Sequence, residues 1–262
     1  MAAAGAHSGD DLFSVQGRIA IVTGASGTLG QRYCQLLASR GATVVAAARR
    51  LDRLEAMAGE VTGVVPVGCD VTDDTQLLRL VEVAAEHGGP DIVVNNAGTT
   101  DAVVRAHEQD PAQFRRVLEI NLTSAFVLSS AAAREMIGHG RGGSIVNVAS
   151  MLGIVASGGN HQAGYVASKT GMIGLTRELA KQWASDRIRV NAIAPGYFRS
   201  ELTEEMFAAA DAPGLRHIQR NTLMRRAGEI DEFDGALLLL ASDAGSYITG
   251  QTIVIDGGWT AR

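Results

Sequence analysis

Thr23-Gly24-Ala25-Ser26-Gly27-Thr28-Leu29-Gly30 joins an apolar run at 18–23 to a helical pattern at 29–40. Glycines placed there allow a tight turn and bare backbone N–H groups at the positive end of the helix, where a pyrophosphate is stabilised. A glycine pattern alone is also an ordinary turn, but this one follows a strand and opens a helix, which favours the phosphate reading. Further strand-like runs follow at 43–47, 64–69, 92–95, 144–149, 189–193 and 252–255. They are rich in Val and Ile and nearly free of polar interruption, as expected of parallel strands covered on both faces. Helical patterns at 51–58, 74–87, 112–137, 163–185 and 231–242 lie between them.

Strand–helix–strand repetition at this spacing implies right-handed crossovers. The predicted fold is therefore α/β: a Rossmann-like, doubly wound, seven-stranded parallel sheet flanked by helices on both faces. Asp110-Pro111 supplies a capping side chain and a first-turn proline for the longest helix, and Gly41 and Gly138 are read as closing the first and the long helix. The Ala/Gly/Ser-rich residues 1–11 read as a flexible tail, and 12–262 as a single domain. Within it, 197–228 fits no strand or single long helix, and a connection of that length belongs to a binding site. It is read as a substrate lid with Phe198, Leu202, Met206 and Phe207 as apolar lining.

At 262 residues, 46% hydrophobic and 19% charged, the chain can bury a large core and is not disordered. A net charge of −5 leaves no electrostatic footprint for nucleic acid. No apolar run reaches membrane-spanning length, and the N-terminus lacks a secretory pattern, so a cytoplasmic protein is expected. Cys34 and Cys69 form no redox or metal motif and are expected to be reduced core residues; no metal site is expected.

Tyr165-Val-Ala-Ser-Lys169 places a phenol and an ammonium at i and i+4, on one helix face. A tyrosine titrates near pH ~10 in water, and a fixed positive charge nearby lowers that value toward the working range. The same spacing also occurs in ordinary helix pairs. At the end of the second strand Ala48 stands where a carboxylate would hold the ribose hydroxyls of NAD, and Arg49 follows. A guanidinium there suits a 2′-phosphate, although arginines at this place can equally cap a solvated helix start. NADP(H) is therefore the expected cofactor, with NAD(H) possible.

With the glycine turn, Asn95-Asn96-Ala97-Gly98, Ser150 and Tyr165-x-x-x-Lys169 in this order, the chain from Gly17 onward resembles the compact branch of the short-chain dehydrogenase/reductase family. One departure stands out: the family's middle glycine falls one place early, at Gly27, with Thr28 where glycine is usual. The resemblance implies a catalytic set of Asn121, Ser150, Tyr165 and Lys169. Ser150 would donate to the substrate oxygen. Asn121, in a local helix irregularity, would hold a water on a proton path from Lys169. It further implies cofactor contacts from Gly24, Ser26, Gly27, Thr28, Leu29, Asp70, Val71, Asn96, Ala97, Gly98, Tyr165, Lys169, Pro195, Gly196 and Phe198. In relatives the last strand and the Asn121 helix pack across twofold axes, so a homotetramer is expected. The substrate would be a small carbonyl or alcohol. The layout is similar both to 3-oxoacyl-carrier-protein reductases and to sugar-acid dehydrogenases such as gluconate 5-dehydrogenase. A dehydrogenase of a sugar acid or polyol, and a catalytically silent dinucleotide-binding sensor, remain alternatives, since fold does not fix function.

Overall fold

The β-branched runs seen in the sequence lie side by side as seven parallel strands in the order β3-β2-β1-β4-β5-β6-β7. They are β1 Ile19–Thr23, β2 Thr43–Ala48, β3 Val64–Gly68, β4 Ile92–Asn95, β5 Gly143–Val148, β6 Ile188–Pro195 and β7 Thr252–Ile255. The structure is a computed structural model describing residues 12–157, 161–199, 203 and 213–261. The expected residues 1–11, the loop positions 158–160 and the lid residues Leu202, Met206 and Phe207 lie outside the described part.

Side chains alternate across a strand, and here both sides are covered. Ala20, Val22, Val44, Ala46 and Val94 pack to one face, with Tyr33, Leu37, Phe233 and Leu237. Ile21, Val45, Val93 and Ile145 pack to the other, with Leu77, Leu80, Leu128, Met136 and Leu179. Two dry faces explain why the strands read as continuous apolar runs; each such buried side chain contributes roughly 1.5–3 kcal/mol.

The helices are α1 Thr28–Ser39, α2 Leu51–Glu60, α3 Asp74–Glu86, α4 Pro111–Leu118, α5 Ser124–His139, α6 Ala163–Trp183, α7 Pro213–Asn221 and α8 Asp234–Ala241. Asp110 accepts a hydrogen bond from Ala112 N (2.9 Å) and caps α4 as its sequence foretold. The long helix is interrupted: a π-helical turn, Glu119–Thr123, separates α4 from α5. Its end also differs from expectation. Gly138 lies inside α5, and Gly140, with φ +67°, takes the left-handed closing position. The last helical pattern divides into a 3-10 turn, Ile230–Phe233, and α8. In the lid region α7 is a short helix, and Phe198 forms an isolated parallel bridge with Gly228.

Sheet order reverses between β1 and β4, whose neighbours β2 and β5 lead away in opposite directions. Ligands of such sheets bind at the carboxyl edge of this switch point. Among the described residues no helix is long and apolar enough to cross a membrane.

Candidate active site

Two glycines fix the first turn. Gly24 has φ +65°, and a Cβ there would stand 2.9 Å from Ala97 Cα. A Cβ at Gly30 would stand 2.2 Å from Gly24 O, so the opening turn of α1 can lie on the loop only if that residue is glycine. Gly27 is the extended residue before α1 (φ −90°, ψ 164°), and Thr28 begins the helix. A Cβ at Gly27 would meet nothing nearer than 3.6 Å. The displaced middle glycine therefore leaves the crowded positions, 24 and 30, as the motif requires. N–H groups at the start of α1 face the switch point, a cradle that fits a pyrophosphate.

Around the cradle the strand ends are tied together. Thr23 Oγ1 accepts from Asn96 N and Ala97 N, both at 3.1 Å, and Asn96 Nδ2 donates to Thr23 O at 2.9 Å. At the end of β2, Ala48 is buried and Arg49 exposed, with no carboxylate at the position expected for NAD. Arg50, which the sequence reading passed over, donates to Ser26 Oγ (3.1 Å) and Ser26 O (2.9 Å) and so braces the turn. Asp70 accepts from Thr72 N and Thr72 Oγ1, bonds that lower its pKa, with Arg116 and Arg49 adding to the effect.

Ser150 ends the β5 segment, buried, and its Oγ accepts from Leu152 N (3.1 Å). That bond leaves the hydroxyl proton free to be donated, and the Ser150 hydroxyl favours the phenolate of Tyr165, half-buried on the first turn of α6. Burial is the larger effect, however, and holds the Tyr165 phenol above the ordinary tyrosine range. The expectation that the nearby Lys169 charge would bring the phenol down is corrected: burial outweighs the lowering influences on it. Lys169 is itself buried; its Nζ donates to Val148 O (2.7 Å) and stands 5.7 Å from the Tyr165 ring centroid. Burial brings its pKa down to about 8.

Asn121 is fully buried in the π-helical turn, which supplies the expected irregularity. Its Oδ1 accepts from Thr99 N (2.8 Å), while Nδ2 donates to Thr99 O and to Ser168 Oγ (both 2.9 Å). A Cβ at Gly98 would sit 3.5 Å from Asn121 Oδ1 and 3.6 Å from Lys169 Nζ, so this glycine brings the β4 loop down onto both.

One cleft of about 1140 Å³ unites these groups. It is lined by Gly24, Ser26, Gly27, Thr28 and Leu29 of the turn, Arg49, Asp70 and Val71 of the next strand ends, and Asn96, Ala97 and Gly98. Ser150, Tyr165, Lys169, Pro195, Gly196 and Phe198 complete the predicted set there. Asn121 stands behind the wall and does not line it. Phe198 also serves the core: it is buried and stacks on Phe233 at 4.0 Å between centroids. His161 is exposed. Among the described residues no cluster of three or more His, Cys, Asp or Glu could hold a metal. Sequence reasoning missed Arg50, Thr23 and Asp101, a buried carboxylate in the loop after β4; nothing but residue type marked them.

A family model described as enoyl-(acyl carrier protein) reductase matches residues 24–260. A 3-oxoacyl-[acyl-carrier-protein] reductase from Thermotoga maritima is 39% identical, the match covering 93% of this chain and 98% of that protein. A 2-dehydro-3-deoxy-D-gluconate 5-dehydrogenase from Dickeya dadantii is 36% identical over 95% of this chain and 98% of that one. The crystal structure of a gluconate 5-dehydrogenase from Burkholderia cenocepacia, in complex with NADP and tartrate, superposes with a TM-score of 0.90 at 30% identity. That likeness covers 97% of this chain and all of its counterpart (100%).

Proposed function

The chain belongs to the short-chain dehydrogenase/reductase family of oxidoreductases, and from that premise we propose that it interconverts a ketone or aldehyde and an alcohol using NADP(H), with Tyr165 as general acid/base. The observation that carries this reading is that Ser150, Tyr165 and the buried Lys169 line one cleft at the carboxyl edge beside the glycine cradle. A nicotinamide, when bound, supplies or accepts the hydride. The chain's own part is protonic and electrostatic. In reduction Tyr165 gives its proton to the carbonyl oxygen, and Ser150 donates a hydrogen bond to the charge developing there. The Lys169 ammonium stabilises the phenolate that remains, and Asn121 anchors the wall from which a proton path leads to solvent. Oxidation runs the same path in reverse.

For the dinucleotide, Gly24, Ser26, Gly27, Thr28, Leu29, Asp70, Val71, Asn96, Ala97, Gly98, Pro195, Gly196 and Phe198 would form the binding wall. Arg49, exposed beside Ala48, would receive the 2′-phosphate, with no carboxylate there to oppose it. The Burkholderia relative, solved with NADP, supports the phosphorylated cofactor. A second reading, a dehydrogenase of sugar acids or polyols, draws on the names of the Dickeya and Burkholderia relatives.

A panel of ketones, aldehydes, sugar acids and polyols, run in both directions with both dinucleotides, tests the proposal. The lower Michaelis constant should belong to NADP(H). Tyr165→Phe should cut turnover roughly 10²- to 10⁴-fold with dinucleotide affinity little changed. Turnover retained in that variant would overturn the assignment.

A further inference from the structure

The helix that carries Tyr165 begins without a cap of its own. Gln162 precedes α6, and its side chain makes no capping hydrogen bond. The first N–H groups of a helix have no partner within it. Here Gly164 N donates to Asp101 Oδ2 (2.7 Å) and Tyr165 N to Asp101 Oδ1 (3.1 Å). These are the second and third positions of the helix, the pair that a capping side chain ordinarily serves. Asp101 does so from 63 and 64 residues away, and it is only 4% exposed. Gln109 Nε2 donates to the same carboxylate and holds its plane.

The bonds form a closed circuit around the phenol-bearing residue. Tyr165 N is held by Asp101, and Tyr165 O accepts from Ser168 Oγ (2.7 Å). Ser168 Oγ in turn accepts from Asn121, whose amide grips both backbone groups of Thr99, two residues before Asp101. Gly164 permits the close approach: a Cβ there would stand 3.1 Å from Asp101 Oδ2.

We propose that Asp101 is a positioning residue for the reaction: it fixes the backbone of Tyr165, and hence the height of the phenol above the cleft, by capping α6 from the loop after β4. The inference rests on Tyr165 being the proton donor. Misplacing a reacting group by about 1 Å can cost roughly 10²-fold in rate, so the cap controls turnover more than binding.

The test compares Asp101→Ala, which removes both acceptors, with Asp101→Asn, which keeps one acceptor oxygen and sets an NH2 donor in place of the other. Three readouts are taken: turnover on the best carbonyl of the panel, NADPH affinity by fluorescence, and amide hydrogen exchange at Gly164 and Tyr165. Asp101→Ala should lower kcat roughly 10- to 100-fold and speed exchange at those two amides, with NADPH affinity unchanged. Asp101→Asn, able to accept at only one of its two side-chain atoms, should recover part of the turnover and slow exchange at one of the two amides. If Asp101→Ala does not fold, Asp101→Ser, with its shorter reach, should give the same pattern in weaker form. Asp101→Ala turnover equal to that of the unaltered chain, or NADPH affinity falling in step with kcat, would overturn the proposal. Tyr165→Phe measured alongside separates the two ideas. If it is inactive while Asp101→Ala is fully active, only the positioning role fails. If it keeps its turnover, the proton-donor assignment fails first.

Discussion

Lys169 sets the pH behaviour at the scale of single residues. Burial lowers its pKa to about 8 and raises that of Tyr165, so the ammonium loses its proton before the phenol does as pH rises. The proposed reduction needs both groups protonated. Reductive kcat/KM, which reports groups of the free enzyme, should therefore be level below about pH 8 and fall above it. A profile that stays level until the phenol range would assign the limb to Tyr165 and sink this account. The four proposed reacting residues were legible because type and order mark them; two share a helix face. The balance of their pKa values was not, since burial depends on what the fold lays over them. Asp101 was equally hidden: a carboxylate in a polar loop looks like any other until α6 is brought to it.

Among elements, the glycine turn gives a sharp contrast. At Gly30 a Cβ would overlap Gly24 O, whereas at Gly27 it has room. Gly30→Ala should cost 1–3 kcal/mol or more, as overpacking does, and abolish dinucleotide binding. Gly27→Ser should be neutral or stabilise by up to ~0.5 kcal/mol, because the residue already has the backbone of a good cap. Thermal melts with and without NADPH distinguish them; equal losses would show that the crowding at Gly30 is relieved elsewhere. Strand runs 92–95 and 252–255 were read to the residue, since an apolar run between breakers has only one place to be. The division of the long helix had no such signal: Asn121 is a poor interior residue, but polarity alone does not say that the backbone opens into a π turn. The closing glycine of α5 was misplaced because Gly138 and Gly140 stand two apart, and only the backbone angle chooses between them.

At the scale of the whole molecule, two apolar features lie on the surface where the sequence expected twofold contacts. Phe126 and Ile137, three turns apart along one stripe of α5, are 48% and 45% exposed. Val254, 38% exposed, lies on β7, the outermost strand on its side of the sheet. We propose that both surfaces are covered by copies of the same chain. Light scattering after size exclusion should give the mass of four chains, and Phe126→Arg should reduce it to two. A monomeric wild type would rule this out. The layered architecture itself was legible from periodicity, but the path of the lid was not, because its short helical patches carry no repeat long enough to place them. The strand order has a consequence for how the molecule is made. The first four strands complete one contiguous half-sheet, β3-β2-β1-β4, and each later strand then joins the outer edge left by its predecessor. A chain emerging from the ribosome can thus add strands in the order they are synthesised, with no insertion between neighbours already paired. The glycine turn before α1 is in place well before the proposed proton-handling residues Ser150, Tyr165 and Lys169 are made.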